Sequence, residues 1–301
     1  MSDLSATDLE IHKNLMAWME TVNIQMEWQT FRDSIASGAK PPSDSCIWRF
    51  LNALVTTYKS EILADSHIKL YRARCVSPSN YNKLHISDSI DGFNKDQSGA
   101  PPATADIPAG RANPKGTSYL YLASDPATAC AEVQAYPSQL ISVADFQLER
   151  NISIVNLHSI QSKENDSYEW SEYATAFKAI MWEFMAPKGH NSDYPVSQFI
   201  AGYFCEAGID GIKYISSHNP QLGSYAMVLF DPSVATCVSE YGTVYRCLSE
   251  EKRFQIMKTH IPEESKVITS GRRFGLLSDI QINQIRNRMR IHNEDGKKDE
   301  T

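Results

Sequence analysis

The 301-residue sequence has no apolar run that approaches the roughly 20 residues of a membrane-spanning helix. Its polar, acidic start (residues 1–14) does not follow the pattern of a secretory signal. Basic residues are also scarce, because 29 Lys and Arg face 36 Asp and Glu, for a formal net charge of −7. General nucleic-acid binding needs a basic surface, so this balance argues against it. We therefore expect a cytoplasmic protein that binds neither membranes nor nucleic acids.

Close cysteine pairs are missing as well. None of the six cysteines forms a Cys-x-x-Cys motif, and the two closest, Cys237 and Cys247, are ten residues apart. Zinc sites and disulfide frameworks have tighter spacing, so we expect reduced thiols and no metal. The sequence also lacks the phosphate-loop, G-x-G-x-x-G, H-E-x-x-H and G-x-S-x-G motifs. Common NTPases, dehydrogenases, zinc proteases and hydrolases are therefore not supported.

What the chain does contain is enough apolar material for a core, because hydrophobic residues make up 42% of it. Apolar residues recur at helical spacing over residues 5–64, with a break at 38–42. This pattern predicts an N-terminal helical cap in a domain of residues 1–64. Residues 76–116 are rich in glycine and proline and show no periodicity, so they predict a lid, a binding loop or a disordered segment.

After this loop, strand and helix patterns alternate, which predicts an α+β domain over residues 65–250. Asp125 is a typical N-cap and Pro126 a typical first residue of a short helix. Other elements are expected as strands at 118–123, 140–148, 152–156, 210–216 and 225–230, helices at 168–185 and 195–207, and a hairpin within 234–248. Residues 251–301 are predicted to form a C-terminal extension with a disordered tail.

The residues between 110 and 132 carry the clearest chemical signal. A Gly/Pro-rich turn holds Arg111 and Lys115, and the strand that follows holds Tyr121. Arginine can grip a phosphate through two hydrogen bonds, lysine adds a point charge, and tyrosine offers a ring for stacking. Glu132 is the one carboxylate among small residues in the next helix, and such a group can stabilise a cationic sugar. The set suits a nucleotide-sugar substrate; a solvated loop, a core tyrosine and a surface glutamate are the structural alternative.

The order of these motifs resembles the RES-domain family, which is named for arginine, glutamate and serine positions. The pattern G-R-x-N-P-x-G over residues 110–116 is followed by Y-L-Y-L-A over 119–123 and A-x-x-E-V over 129–133. Further matching segments lie at residues 70–74, 195–198, 208–217 and 228–230. The resemblance covers about residues 67–232 and is strongest to the longer branch of the family, which has a helical N-terminal extension.

The resemblance implies a mixed-sheet α+β fold similar to that of ADP-ribosyltransferase toxins, with the N-terminal helices as an extension. It implies NAD+ as the substrate, cleaved at the nicotinamide–ribose bond by phosphorolysis or hydrolysis, with inorganic phosphate as a co-substrate in the first case and no cofactor. Many members are toxins that an antitoxin protein neutralises, so we expect a toxin or defence effector. The N-terminal helices could cap the pocket, mediate a homodimer or receive the antitoxin.

By motif position, the resemblance implies catalytic residues at Arg111, Tyr121, Glu132 and Ser216. Arg111 would clamp the diphosphate of NAD+, and Tyr121 would stack on the nicotinamide or the ribose edge. Glu132 would bind the ribose hydroxyls and stabilise the developing positive charge, and Ser216 would donate a hydrogen bond to a phosphate or to the nucleophile. Two rival functions stay open: mono-ADP-ribosylation of a protein target, and NAD+ binding without catalysis.

Five further residues are candidates for substrate binding: Arg72, Asn113, Lys115, Gln198 and Ser217. Several of them have a structural alternative. Arg72 lies on the same strand face as Arg74 and could form structural ion pairs, and Asn113 could shape the turn before Pro114. Ser217 competes with Ser216, because adjacent strand residues face opposite ways and only one should point inward.

Overall fold

The computed structural model describes residues 23–66, 68–86, 90–158, 168–185, 194–219, 223–248, 253–256 and 268–269. The chain divides into two compact units that alternate along the sequence. The first unit comprises Met1–Glu61, Ala103–Thr117 and Ser153–Tyr214, and the second comprises Ile62–Pro102, Ser118–Ile152 and Ile215–Thr301. The predicted domains at 1–64, 65–250 and 251–301 stay a prediction.

The elements are numbered in chain order. The helices are α1 (residues 23–36), α2 (Cys46–Thr56), α3 (Lys95–Ser98), α4 (Pro126–Glu132), α5 (Tyr168–Met185) and α6 (Pro195–Glu206). The strands are β1 (Lys59–Ile62), β2 (Leu70–Cys75), β3 (His85–Ile86), β4 (Ile90–Asp91), β5 (Leu120–Ala123), β6 (Leu140–Leu148), β7 (Ile152–Asn156), β8 (Gly211–Ile215), β9 (Tyr225–Leu229), β10 (Ala235–Cys237), β11 (Thr243–Cys247), β12 (Arg253–Ile256) and β13 (Ile268–Thr269).

The first unit packs α1, α2, α5 and α6 with a small parallel strand pair. β7 and β8 run parallel, with Ile154 opposite Gly211, and β1 neighbours β7. An aromatic cluster joins three of the helices: Phe31 of α1 lies edge-on to Trp48 of α2 and to Phe199 of α6. Phe31 is fully buried, and rings of this size contribute most of the apolar area that stabilises such a core.

The second unit is an antiparallel sheet with strand order β9-β5-β2-β6-β11-β12-β13. β10 also pairs with β6, through the register Cys237 opposite Phe146. The helix α4 packs on this sheet through small residues, with Ala129 and Cys130 buried against Ala73 and Val143. The first unit combines helices with parallel strands, and the second unit is built on antiparallel strands. This arrangement confirms the predicted α+β class.

Several local predictions are confirmed. Asp125 caps α4 by accepting a hydrogen bond from the Thr128 N–H, and Pro126 is the first residue of that helix. Gly208 follows the end of α6 with a φ of +78°, a conformation in which glycine avoids a side-chain clash. β6, β7 and α5 have the predicted bounds.

Two local predictions are wrong, and one segment is more regular than its sequence indicates. The helical pattern predicted up to residue 64 ends at Thr56, and Lys59–Ile62 is a strand. The hairpin predicted within 234–248 does not form, because β10 and β11 each pair with β6 instead. The 76–116 segment is not without regular structure, since it contains a 3-10 helix, the β3–β4 pair and α3. The predictions for residues 5–22 and for the tail after 269 lie outside the described residues.

Candidate active site

The predicted catalytic residues fall into two groups, one in each unit. In the second unit Glu132 is the last residue of α4, and Ser216 directly follows β8. The two side chains are in contact, because the Ser216 hydroxyl lies 2.5 Å from Glu132 Oε1. Ser216 is fully buried and Glu132 is half-buried. A short O–H···O⁻ hydrogen bond of this kind is strong and fixes the direction of a carboxylate.

The other contacts of Ser216 determine where its proton points. Ser216 Oγ accepts hydrogen bonds from the backbone N–H groups of His218, at 3.3 Å, and Asn219, at 3.1 Å. A serine hydroxyl has one proton and two acceptor positions, so these contacts leave the proton for Glu132. The structure shows the Ser216 hydroxyl donating to Glu132, and its predicted donation to a phosphate or to the nucleophile stays a prediction. Ser217, the competing candidate, is half-buried beside it.

Asn219 was missed in the sequence, where it stands in a polar stretch typical of a loop. It is fully buried, and its Nδ2 donates to Thr128 Oγ1 at 2.9 Å. Thr128 Oγ1 in turn donates to Asp125 Oδ2 at 2.6 Å. The 216–219 turn is thus joined to both ends of α4: to Asp125 at its N-cap and to Glu132 at its last residue. A buried amide in this setting orients the groups that it contacts.

Tyr121 lies on β5 in the same unit. It is half-buried, whereas Leu120 and Leu122 on either side of it are buried, as expected when alternate side chains of a strand point to opposite faces. β5 runs between β9 and β2, and Tyr121 stands opposite Val228 of β9. Its role in stacking stays a prediction.

Arg72 and Arg74 extend from one face of β2, as predicted. Arg72 Nη1 donates to the Ser98 carbonyl at 2.9 Å, and the Arg74 guanidinium donates to the Gln97 carbonyl and lies over the Phe93 ring. Burial, together with the charge of Arg74, lowers the pKa of Arg72 to about 10, so its side chain is still charged at neutral pH. These contacts fasten the end of α3 to the sheet through backbone carbonyls rather than through the structural ion pairs of the alternative. The role of Arg72 in substrate binding stays a prediction.

In the first unit, the turn that carries Arg111 is held by α5 and α6. Arg111 Nη1 donates to the Glu183 carbonyl at 3.1 Å, and its guanidinium lies 5.4 Å from the centre of the Tyr194 ring. Ser197 Oγ donates to the Arg111 carbonyl at 2.6 Å, and Gln198 Nε2 donates to the Gly110 carbonyl at 2.8 Å. The guanidinium and the backbone of Arg111 are therefore both fixed in place.

The remaining candidates of this turn differ in their surroundings. Asn113 is buried, and its Nδ2 donates to the carbonyls of Pro108, Pro114 and Thr117, which favours the alternative that it shapes the turn. Lys115 is 75% exposed, and its Nζ lies 3.7 Å from Asp106, so the structure places it in solvent. Gln198 also donates to the Asn113 carbonyl, which makes it a support of the turn.

Among the described residues, no group of three or more His, Cys, Asp or Glu side chains is arranged to hold a metal ion. Within the same residues, no helix combines the length and apolar character that crossing a membrane requires.

The comparison with protein families identifies the chain. The RES-domain model matches residues 69–250, more than half of the sequence, and the chain belongs to the RES-domain family. The predicted family is therefore confirmed. No curated protein matches the chain. Among solved structures, the M. tuberculosis MbcT–MbcA toxin–antitoxin complex is similar at 11% sequence identity and a TM-score of 0.38, over 69% of this chain and 95% of that one. A similarity this weak supports no conclusion about the function of this chain.

Proposed function

We propose that this RES-domain protein cleaves NAD+ at the bond between nicotinamide and ribose. The observation that carries the proposal is the contact between Glu132 and Ser216, because it fixes the direction of a partially exposed carboxylate at the position where the resemblance predicts the family's glutamate. A carboxylate held in this way can stabilise positive charge as it develops, without reorganising during the reaction.

The proposed chemistry needs few groups. The bond between C1″ of the ribose and the nicotinamide nitrogen breaks, and its electron pair leaves with nicotinamide, which becomes neutral. The ribose then carries an oxocarbenium-like positive charge, which Glu132 stabilises. Phosphate or water adds through oxygen at C1″, and the proton of water is released. The products are nicotinamide with ADP-ribose-1″-phosphate or, for water, with ADP-ribose.

In this proposal Ser216 acts through Glu132 rather than on the substrate, since its proton is directed to the carboxylate. Arg111 binds the diphosphate, a role that suits a guanidinium whose backbone and side chain are both held in position. Tyr121 stacks on the nicotinamide or the ribose edge. Consumption of NAD+ would make the protein a toxin or defence effector, for which an antitoxin is the expected partner.

The test is turnover of NAD+ by the purified chain, followed by proton and phosphorus NMR with and without phosphate. We expect release of nicotinamide, and the second product distinguishes phosphorolysis from hydrolysis. Glu132→Ala should abolish turnover, whereas Glu149→Ala, which removes an exposed carboxylate of the same unit, should retain it.

Three outcomes would contradict the proposal. Equal turnover by wild type and Glu132→Ala would remove Glu132 from the chemistry. Nicotinamide release that depends on an added protein acceptor, with ADP-ribose found on that acceptor, would establish the transferase alternative. Binding of NAD+ without release of nicotinamide in either buffer would establish a binding module.

A further inference from the structure

A buried chain of hydrogen bonds runs beside α4 from its N-cap to its last residue. It passes through three side chains that are fully buried: Thr128, Ser216 and Asn219. All of its members belong to the second unit. Hydrogen bonds in a low-dielectric interior are strong, and bonds that form a chain polarise one another. The direction of each bond follows from the groups that take part in it, starting at Asp125.

Asp125 determines the direction of the first bond. Its Oδ2 accepts hydrogen bonds from the hydroxyls of Ser124, at 2.8 Å, and of Thr128, at 2.6 Å. Its Oδ1 accepts the backbone N–H of Thr128 at 2.8 Å. A carboxylate can only accept, so the single proton of the Thr128 hydroxyl points to Asp125. Thr128 Oγ1 can therefore meet its other neighbour only with a lone pair.

That lone pair orients Asn219. Only the amide nitrogen of an asparagine side chain can donate, so it is Nδ2 that contacts Thr128 Oγ1, at 2.9 Å. The same residue donates its backbone N–H to Ser216 Oγ at 3.1 Å. Asn219 thus donates in both directions, and the bond to Ser216 leaves the proton of that hydroxyl for Glu132 Oε1.

The other amide atom of Asn219 shows that packing alone does not account for this residue. Oδ1 is buried and receives no hydrogen bond from the part of the chain that the structure describes. A buried acceptor without a partner destabilises a fold, and an apolar side chain of similar size would avoid that cost. The favourable polar contact of this side chain is the one that Nδ2 makes with Thr128.

We propose that Asn219, oriented by Thr128, is a positioning residue for Glu132: it holds the turn whose N–H groups direct the Ser216 proton to the carboxylate. This inference rests on the proposed function for its effect on catalysis, and it deepens that function. It also gives Asp125 a second role besides capping α4, because the carboxylate at the start of the helix fixes the hydrogen bonds that orient the carboxylate at its end.

The first test replaces Asn219 with leucine, which removes both the donor Nδ2 and the unpaired Oδ1. We expect kcat for NAD+ to fall about tenfold, because a charge-assisted bond to Glu132 is weakened, with KM changed less than about twofold. The free energy of unfolding should be at least that of wild type, since an unpaired buried acceptor is lost. A loss of activity without a loss of stability distinguishes positioning from a structural role. Asn82→Leu, the same change at an exposed position of this unit, is the control.

Two substitutions of Thr128 test the contact from its other side. Valine has nearly the shape of threonine but lacks the hydroxyl, whereas serine keeps it. We expect Thr128→Val to lower kcat about as much as Asn219→Leu does, and Thr128→Ser to retain most of the wild-type kcat. Combining Thr128→Val with Asn219→Leu should cause little further loss, because both changes remove the same contact. Thr236→Val, at an exposed position of this unit, is the control.

A readout without substrate separates this inference from the proposed function. The carbon NMR signal of the Glu132 carboxylate responds to the hydrogen bonds that the group accepts, and Ser216→Ala gives its position without the donor. At a fixed pH, the signal in Asn219→Leu and Thr128→Val should move from its wild-type position toward that of Ser216→Ala. In Thr128→Ser it should stay close to wild type. If these shifts occur while wild type releases no nicotinamide, the proposed function fails and the inference stands.

Three results would overturn the inference. The first is a folded Asn219→Leu variant with the kcat and the Glu132 signal of Asn82→Leu. The second is a parallel loss of stability and kcat in Asn219→Leu with an unchanged Glu132 signal, because Asn219 would then only support the fold. If Asn219→Leu does not fold, the Thr128 variants decide, and the third result is an equal kcat and an equal Glu132 signal in Thr128→Val and Thr128→Ser.

Discussion

Replacing Ser216 with alanine removes a hydroxyl that makes three hydrogen bonds in the second unit. It donates to Glu132 Oε1 at 2.5 Å and accepts from the N–H groups of His218 and Asn219. Loss of the bond to Glu132 releases a carboxylate from its fixed direction. Hydrogen bonds to charged groups contribute about 1.5–3 kcal/mol, which corresponds to a decrease in kcat of about 10- to 100-fold.

The same substitution also affects stability. The buried N–H of Asn219 loses its acceptor, and an unpaired buried donor costs about 1–3 kcal/mol. We therefore expect Ser216→Ala to lower both kcat and the free energy of unfolding. Activity has to be measured at a temperature at which more than about 95% of the variant is folded, as determined by urea unfolding. A remaining free energy of unfolding of about 2 kcal/mol satisfies this condition.

A double-mutant cycle with Glu132→Gln shows whether the two effects are linked. If Ser216 acts through Glu132, Ser216→Ala should decrease kcat strongly in wild type and little in the Glu132→Gln background. Ser233→Ala, an exposed serine of the same unit, is the control. Wild-type kcat in a folded Ser216→Ala variant, or equal losses in both backgrounds, would refute the reasoning.

Two other predictions concern the second unit. Burial and the neighbouring Cys247 raise the pKa of Cys75 from 9.0 to about 11, so the unfolded chain loses this proton at lower pH than the folded chain. The stability that Cys75 contributes should be complete below pH 9 and should decline as the pH rises to 11. Urea unfolding at several pH values should show that the free energy of unfolding declines less in Cys75→Ala than in wild type. An equal decline in both proteins would contradict this assignment. Gly92→Ala would bring its Cβ to 2.2 Å from Ser142 Oγ and 2.8 Å from the Gly242 carbonyl. We expect the free energy of unfolding, measured in urea, to fall by about 1–3 kcal/mol. A variant as stable as wild type would show that the atoms around residue 92 can move apart to accommodate the Cβ.

Sequence reasoning worked where a local rule determines the structure. Asp125 followed by Pro126 is such a case, because the N-cap and the first helical position are set by the residues themselves. The ordered motifs around Arg111, Tyr121 and Glu132 identified the family, since they specify residue types at fixed spacing. The hairpin at 234–248 failed because strand partners are chosen by tertiary packing: β10 and β11 both lie along β6.

The residues that support the site were harder to find, because their partners are distant in the sequence. Asn219 contacts Thr128 across 91 positions, and no local pattern distinguishes it from an ordinary loop asparagine. Glu183 is located on a helix whose most evident feature in the sequence is its aromatic residues. Arg32, 151 positions before it, gives no signal of its own in the sequence, yet its Nε lies 3.0 Å from the buried carboxylate of Glu183. Motifs thus identify groups expected to touch substrate, whereas the charges and amides that orient them become visible only when the fold brings distant residues together.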